Sequence, residues 1–162
     1  MQPKKGKNCY LSMRCKDITW LQYKAGELAS LASQSPFTKE QTYRWHSLCF
    51  PLFRDFKQMF YKRGQRKLAT NILDPLHDIG LAIWFADCGK YRAGKVTFNT
   101  HIWGKHGSKI IQEYFNLSCF KANLIKNKGY YRVVLDERSS CNFLKLVIPQ
   151  LPQFQIRNMQ LY

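Results

Sequence analysis

The stretch LDPLHDIGLAIWFADCG, Leu73 to Gly89, decides how the rest of the chain is read. Asp74 followed by Pro75 is a helix start signal. The acid caps exposed N–H groups, and proline suits the first helical position because the N–H it lacks has no partner there. Gly89 is the matching stop. Between them Leu76, Ile79, Gly80, Ile83 and Trp84 recur at helical spacing, with Ala82 and Ala86 adding small side chains. Small residues let a second helix come close, so Gly80, Ala82, Ile83 and Ala86 are expected at a helix–helix interface. The expected rod has about five turns at 3.6 residues per turn.

The whole chain has 162 residues, 45% of them hydrophobic and 15% aromatic, so it can bury a real core. Lys and Arg number 26 against 10 Asp and Glu, a formal charge of +16. Such an excess points to a polyanion as partner, with nucleic acid ahead of an anionic membrane surface. No apolar run reaches the ~18 residues that span a bilayer, and no long amphipathic helix carries a lysine-rich face, so no membrane role is expected. The basic start MQPKKGKNCYLSMRCKD is not followed by an apolar stretch, which argues against a secretory signal. Cysteines at 9, 15, 49, 88, 119 and 141 lack the close pairs zinc requires. They are expected as small buried hydrophobes in a reducing, intracellular setting, the cytoplasm or an organelle.

Residues 7–15 alternate, with Cys9, Leu11 and Met13 on one face and Tyr10, Ser12 and Arg14 on the other. Such alternation predicts a half-buried strand. Asp17 is placed to cap a helix to about Ser33, SQSPFTKE reads as a loop, and Tyr43, Trp45 and Ser47 oppose Thr42, Arg44 and His46 on a second strand. Pro51 opens a short helix with a stripe of Leu52, Phe53, Phe56, Met59 and Phe60. The basic segment KRGQRKLATN is the best internal boundary. After Gly89, YRAGK turns a hairpin into KVTFNTHIW, Ser108 to Phe115 is helical, SCFKANLIK and YYRVVLDE are strands joined at NKG, and a helix ends at Pro149. From Asp74 the order is helix, two strands, helix, two strands, helix; residues 7–62 repeat it without the opening helix.

This order, with the motif and the flanking YRWHSLCFPLFRDFKQMFYKRGQRKLATNI and YFNLSCFKANLIKNKGYYRVVL, resembles the LAGLIDADG homing endonucleases, in the branch with two motifs per chain. The resemblance implies an α+β fold of αββαββα repeats: residues 1–64 an incomplete first repeat lacking its opening helix, 65–162 a second repeat beginning with the motif helix. It also implies double-stranded DNA as partner and Mg²⁺ as cofactor where the chain is catalytic. Two departures from the pattern bear on catalysis. The family's second motif places a metal-holding acid just before its final glycine, where this chain has Cys88. Asp87 precedes it, but neighbours on a helix point about 100° apart. In addition, the sequence begins after the place of the first motif, so a homodimer or a separate first-motif partner is expected to bring a second acid.

The site residues expected are therefore Asp87 and Cys88 at the catalytic position, with Asp87 the metal ligand. A thiol is a poor ligand for Mg²⁺, so cleavage by this chain is expected to be impaired. Strand alternation exposes Arg14, Arg44, His46, Lys95, Thr97, Asn99, His101, Lys121, Asn123 and Arg132, side chains suited to base edges and phosphates. The alternatives are an active site-specific endonuclease completed by a partner motif, or a protein binding structured intron RNA, as maturase relatives do.

Overall fold

The computed structural model describes residues 2–3, 9–31, 35–39 and 41–159. The chain divides into two compact units, residues 1–63 and 64–162. The first contains β1 (Gln2–Pro3), β2 (Cys9–Cys15), α1 (Ile18–Glu27), β3 (Phe37–Lys39), β4 (Thr42–Phe50) and α2 (Pro51–Phe60). Its antiparallel sheet has the order β1-β2-β4-β3.

The Asp17 carboxylate caps α1, accepting from the backbone N–H of Thr19 at 2.9 Å and of Trp20 at 3.2 Å. The helix ends sooner than expected, at Glu27, and a 3-10 turn over Ala29–Leu31 follows. Gly26, a weak helix former, lies in its last turn. Residues 7–8 and 32–33, expected as strand and helix ends, lie outside the described residues. The fragment read as a loop contains β3, a short edge strand with Phe37 opposite Arg44. Leu21, Ala25 and Trp45 form the core, with Leu11, Met13, Cys15, Leu28 and Tyr43 packed on it. The expected stripe on α2 is only partly covered: Phe53 is buried, while Leu52 and Met59 are exposed. The basic linker is a hairpin, β5 (Tyr61–Lys62) and β6 (Gln65–Arg66).

The second unit continues with α3 (Asp78–Cys88), β7 (Gly89–Arg92), β8 (Lys95–Asn99), α4 (Gly104–Leu117), β9 (Ala122–Asn127), β10 (Tyr130–Leu135), α5 (Glu137–Val147) and α6 (Gln153–Asn158). Its sheet order, β7-β8-β10-β9, has the same winding as the first unit's. Both hairpins turn on two residues of positive φ: Ala93 at 49° and Gly94 at 74°, then Lys128 at 47° and Gly129 at 84°. These are the mirror-image turns whose twist matches paired strands. The last helix, α6, was not expected from the sequence.

The motif helix differs from its expected form. Asp74 and Pro75 lie in a turn closed by the Leu76 N–H on the Leu73 carbonyl at 3.0 Å, and α3 begins at Asp78. Its 11 residues make about three turns rather than five. A second start signal wins: Asp78 puts an acid in the first turn, where the helix dipole favours it. Leu81, Ala82 and Phe85 face the core, whereas Ile79 is exposed. Phe85 joins Trp84, Phe98, Phe115, Phe120 and Phe143 in a cluster of edge-to-face, tilted and stacked rings.

Gly89 does stop α3, though at φ −87° and ψ 164° it is extended and not left-handed. Glycine is required there for space. A Cβ would lie 2.1 Å from Phe85 Cδ2 and 2.6 Å from the Phe85 carbonyl oxygen. Gly89→Ala is therefore expected to destabilise the unit by about 1–3 kcal/mol, the usual cost of overpacking. Urea titration checks this, and an unchanged midpoint would contradict it.

None of the six cysteines is in a disulfide, and only Cys9 is buried. Cys119 and Cys141 are exposed, contrary to the expectation of buried hydrophobes. Cys119 sits at φ 63° in the turn after α4, and Cys141 on the outer side of α5. A surface turn and an outward helix face leave nothing to pack on.

Candidate nucleic-acid interface

Successive side chains on a strand point to opposite faces. In the second unit Val96, Phe98, Val133 and Leu135 are buried beneath the helices, so their neighbours stand outward. The register places Lys90, Thr97, Val134 and Asn123 in one row across all four strands. Asn99, Arg132 and Ile125 form the next row. Arg92 opposite Lys95 and Tyr130 opposite Asn127 extend the face at its ends. Of the expected residues, Lys95, Thr97, Asn99, Asn123 and Arg132 thus share one surface. Lys121 is exposed just before β9, its N–H donating to Ser139 Oγ at 2.8 Å.

His101 is not on the strand. Thr100 still donates its N–H to the Tyr131 carbonyl at 3.1 Å, but its own carbonyl accepts from the Trp103 N–H at 2.9 Å, and His101 opens a 3-10 turn. Its ring still meets Tyr130 edge-on, with centroids 5.3 Å apart, at the rim of the same face. Lys90, Arg92, Ile125 and Val134 were missed by sequence reading. Arg92 falls within the YRAGK turn of the sequence reading, although a two-residue Ala-Gly turn implies a strand of similar length before it.

In the first unit Ser12 stands opposite His46 and Arg14 opposite Arg44. Arg14 Nε donates to Thr42 Oγ1 at 3.1 Å, and Thr42, expected outward, is buried. The His46 ring lies 5.1 Å from that of Tyr10 and 5.4 Å from that of Phe37. Two arginines directly opposed repel one another, and an anion between them relieves the repulsion.

Among the described residues no acid lies on any strand of the two four-stranded sheets. In the second unit the acids sit on helices, caps and the turn before α3: Asp74, Asp78, Asp87, Glu113, Asp136 and Glu137. Asp74 and Glu113 line a cleft of about 400 Å³ with Leu76, Ile110, Tyr114, Leu117 and Ser118. Burial raises the Tyr114 pKa; the Ser118 hydrogen bond opposes this, and the Asp74 and Asp78 carboxylates add to it. The cleft is lined by acids, and the outward sheet face carries cations, of which Lys95 has its ammonium 4.0 Å from Glu137. Lysines and arginines also occur on the helices, among them Lys105, Lys109 and Arg157, so segregation of the acids creates the contrast.

At the foot of α3, Asp87 is exposed and Cys88 half-buried. Asp87 points roughly 160° away from Phe85, two residues back on the same helix. Among the described residues no three His, Cys, Asp or Glu side chains gather closely enough to hold a metal ion. A two-metal clamp needs hard oxygen ligands around the reacting phosphate, and one carboxylate beside a thiol does not supply them. The residues present therefore do not fit such a centre. The expected interface residues span roughly 160° of the helix, from Ala82 through Ala86 and Ile83 to Gly80. Ala82 is fully buried and the other three half-buried.

A family model, the LAGLIDADG DNA endonuclease family, matches residues 1–143. The chain belongs to the LAGLIDADG DNA endonucleases. The homing endonuclease I-WcaI, solved bound to its DNA recognition sequence, is similar in structure with a TM-score of 0.88 and 16% identity, over 98% of this chain and 78% of that one. I-DmoI in complex with DNA and Mn gives a TM-score of 0.56 and 10% identity, over 87% and 81%. Mesophilic variants of I-DmoI give 0.59 and 11%, over 88% and 81%. The search of curated proteins gave no significant match. The shared α+β fold accounts for the common winding of the two sheets in this LAGLIDADG chain.

Proposed function

We propose that the chain binds double-stranded DNA through the outward faces of its sheets, and that Cys88 leaves its own metal-dependent cleavage impaired. The observation that carries the reading is the strand surface itself: cationic and polar side chains in register, with no acid among them. Arg, Asn and Thr on an antiparallel sheet face can read the distinct donor and acceptor pattern of each base pair in the major groove. Lys90, Arg92, Lys95 and Lys121 at the margins suit phosphates, which position the protein without specifying sequence. The DNA-bound forms of I-WcaI and I-DmoI support duplex DNA as partner, and the Mn and Mg complexes of I-DmoI support a divalent ion as the class of cofactor.

Cleavage needs carboxylates, and among the described residues Asp87 is the acid at the foot of α3. A second copy or a separate first-motif chain is the source we infer for another. With Mg²⁺ and a library of duplex sites, wild type is expected to show no cutting above background. Cys88→Asp, supplied with a first-motif helix, is expected to gain on the order of a hundredfold, the scale on which one preorganised charge-stabilising group acts. Efficient cutting by wild type with that helix would overturn the impairment and restore the active-endonuclease reading. In competition, duplex DNA is expected to displace folded intron RNA; the reverse order would favour the maturase reading.

A further inference from the structure

Two branched aliphatic side chains stand on the outward sheet face of the second unit, among residues otherwise polar or cationic. Val134 is an inner member of the row Lys90, Thr97, Val134, Asn123, and Ile125 lies directly across from Arg132 in the next row. Ile125 is 45% exposed. Neither faces the core, which lies on the other side at Val133 and Leu135. Branched residues favour strands anywhere on a sheet; here both border the one arginine at the middle of the face.

The spacing has a consequence for recognition. Val134 is two residues along the strand from Arg132, about 7 Å. Ile125 is its cross-strand neighbour, about 5 Å away. A base step advances about 3.4 Å, so both aliphatic groups reach bases within about two steps of the one beneath Arg132. In the major groove arginine pairs with the two acceptors of guanine, and thymine alone among the bases presents a methyl group. We propose that Val134 and Ile125 read thymine methyl groups within two base pairs of a guanine held by Arg132. This rests on the reading of the face as a DNA-binding surface.

The test uses the tightest-binding duplex selected from a randomised library, resynthesised with deoxyuridine in place of thymidine, which removes only the methyl groups. Fluorescence anisotropy gives the affinity of each duplex for wild type, Val134→Ala and Ile125→Ala, with thermal unfolding recorded for each protein. Wild type is expected to bind the uracil duplex about fourfold more weakly per contacted methyl, corresponding to ~0.8 kcal/mol for a buried methyl-sized group. Each variant is expected to lose one such step of discrimination between the two duplexes. Equal wild-type affinity for the two duplexes, or full discrimination retained by both variants, would overturn the proposal and leave DNA binding standing. So would self-association of the free chain that Ile125→Ala abolishes, which would assign the patch to a protein contact. Failure to bind any duplex would remove the DNA reading itself.

Discussion

Raising monovalent salt from 50 to 200 mM is expected to weaken duplex binding about a thousandfold. The estimate follows from neutralising about six phosphates, which gives a log-log slope near −5 for B-form DNA. The structure supplies suitable cations: Lys90, Arg92, Lys95 and Lys121 on one sheet surface, Arg14 and Arg44 on the other. Each phosphate contact releases condensed counterions, so the loss is entropic in origin and steep. Anisotropy titrations across that range measure the slope directly. A slope shallower than −2 would mean that the net charge of +16 is solvated and does not face the polyanion. Substituting one margin lysine should flatten the slope by about one and weaken all sequences alike.

Phe98→Ala is expected to be the most damaging single substitution to stability, at about 3–5 kcal/mol. Phe98 is fully buried, and its ring lies 5.0 Å from those of Trp84 and Phe115, 5.5 Å from Phe143 and 6.0 Å from Phe85. It therefore ties three helices to the middle of the sheet. Truncation removes the buried area and leaves a cavity that neighbours from three directions cannot all collapse into. Native domains are stable by only about 5–15 kcal/mol, so a large share of that margin is lost. Thr97 and Asn99 flank Phe98 on the opposite face, and duplex binding should fall in step with the unfolded fraction. Urea unfolding gives the value, and a loss below 1 kcal/mol would show that the ring cluster is not the structural centre.

The strands were legible where one face is wet. Val96 and Phe98 alternate with Lys95, Thr97 and Asn99, and the period alone put the correct residues outward. Where an alternating pattern ran past the end of pairing it misled, as at His101, because the Thr100 carbonyl accepts from the Trp103 N–H and turns the chain out of the strand, and no local signal marks it. The motif helix was legible as a helix but not in its facing. Ile79, Leu81, Ala82, Ile83, Trp84, Phe85 and Ala86 leave almost no polar residue to mark the solvent side, so periodicity cannot choose between Leu81 with Phe85 and Ile79 with Ile83. Its start was also ambiguous, since Asp74-Pro75 and Asp78 both satisfy the chemistry of an N-terminus.

By itself the sequence determined the repeat of elements, the cationic character of the strands and the thiol of Cys88 just before Gly89, because alternation, charge and residue identity are local properties. The tertiary structure alone decided which residues become neighbours across strands: that Lys90 and Arg92 join the outward face, and that Val134 and Ile125 border Arg132. Those are matters of register, set by hydrogen bonds between paired strands.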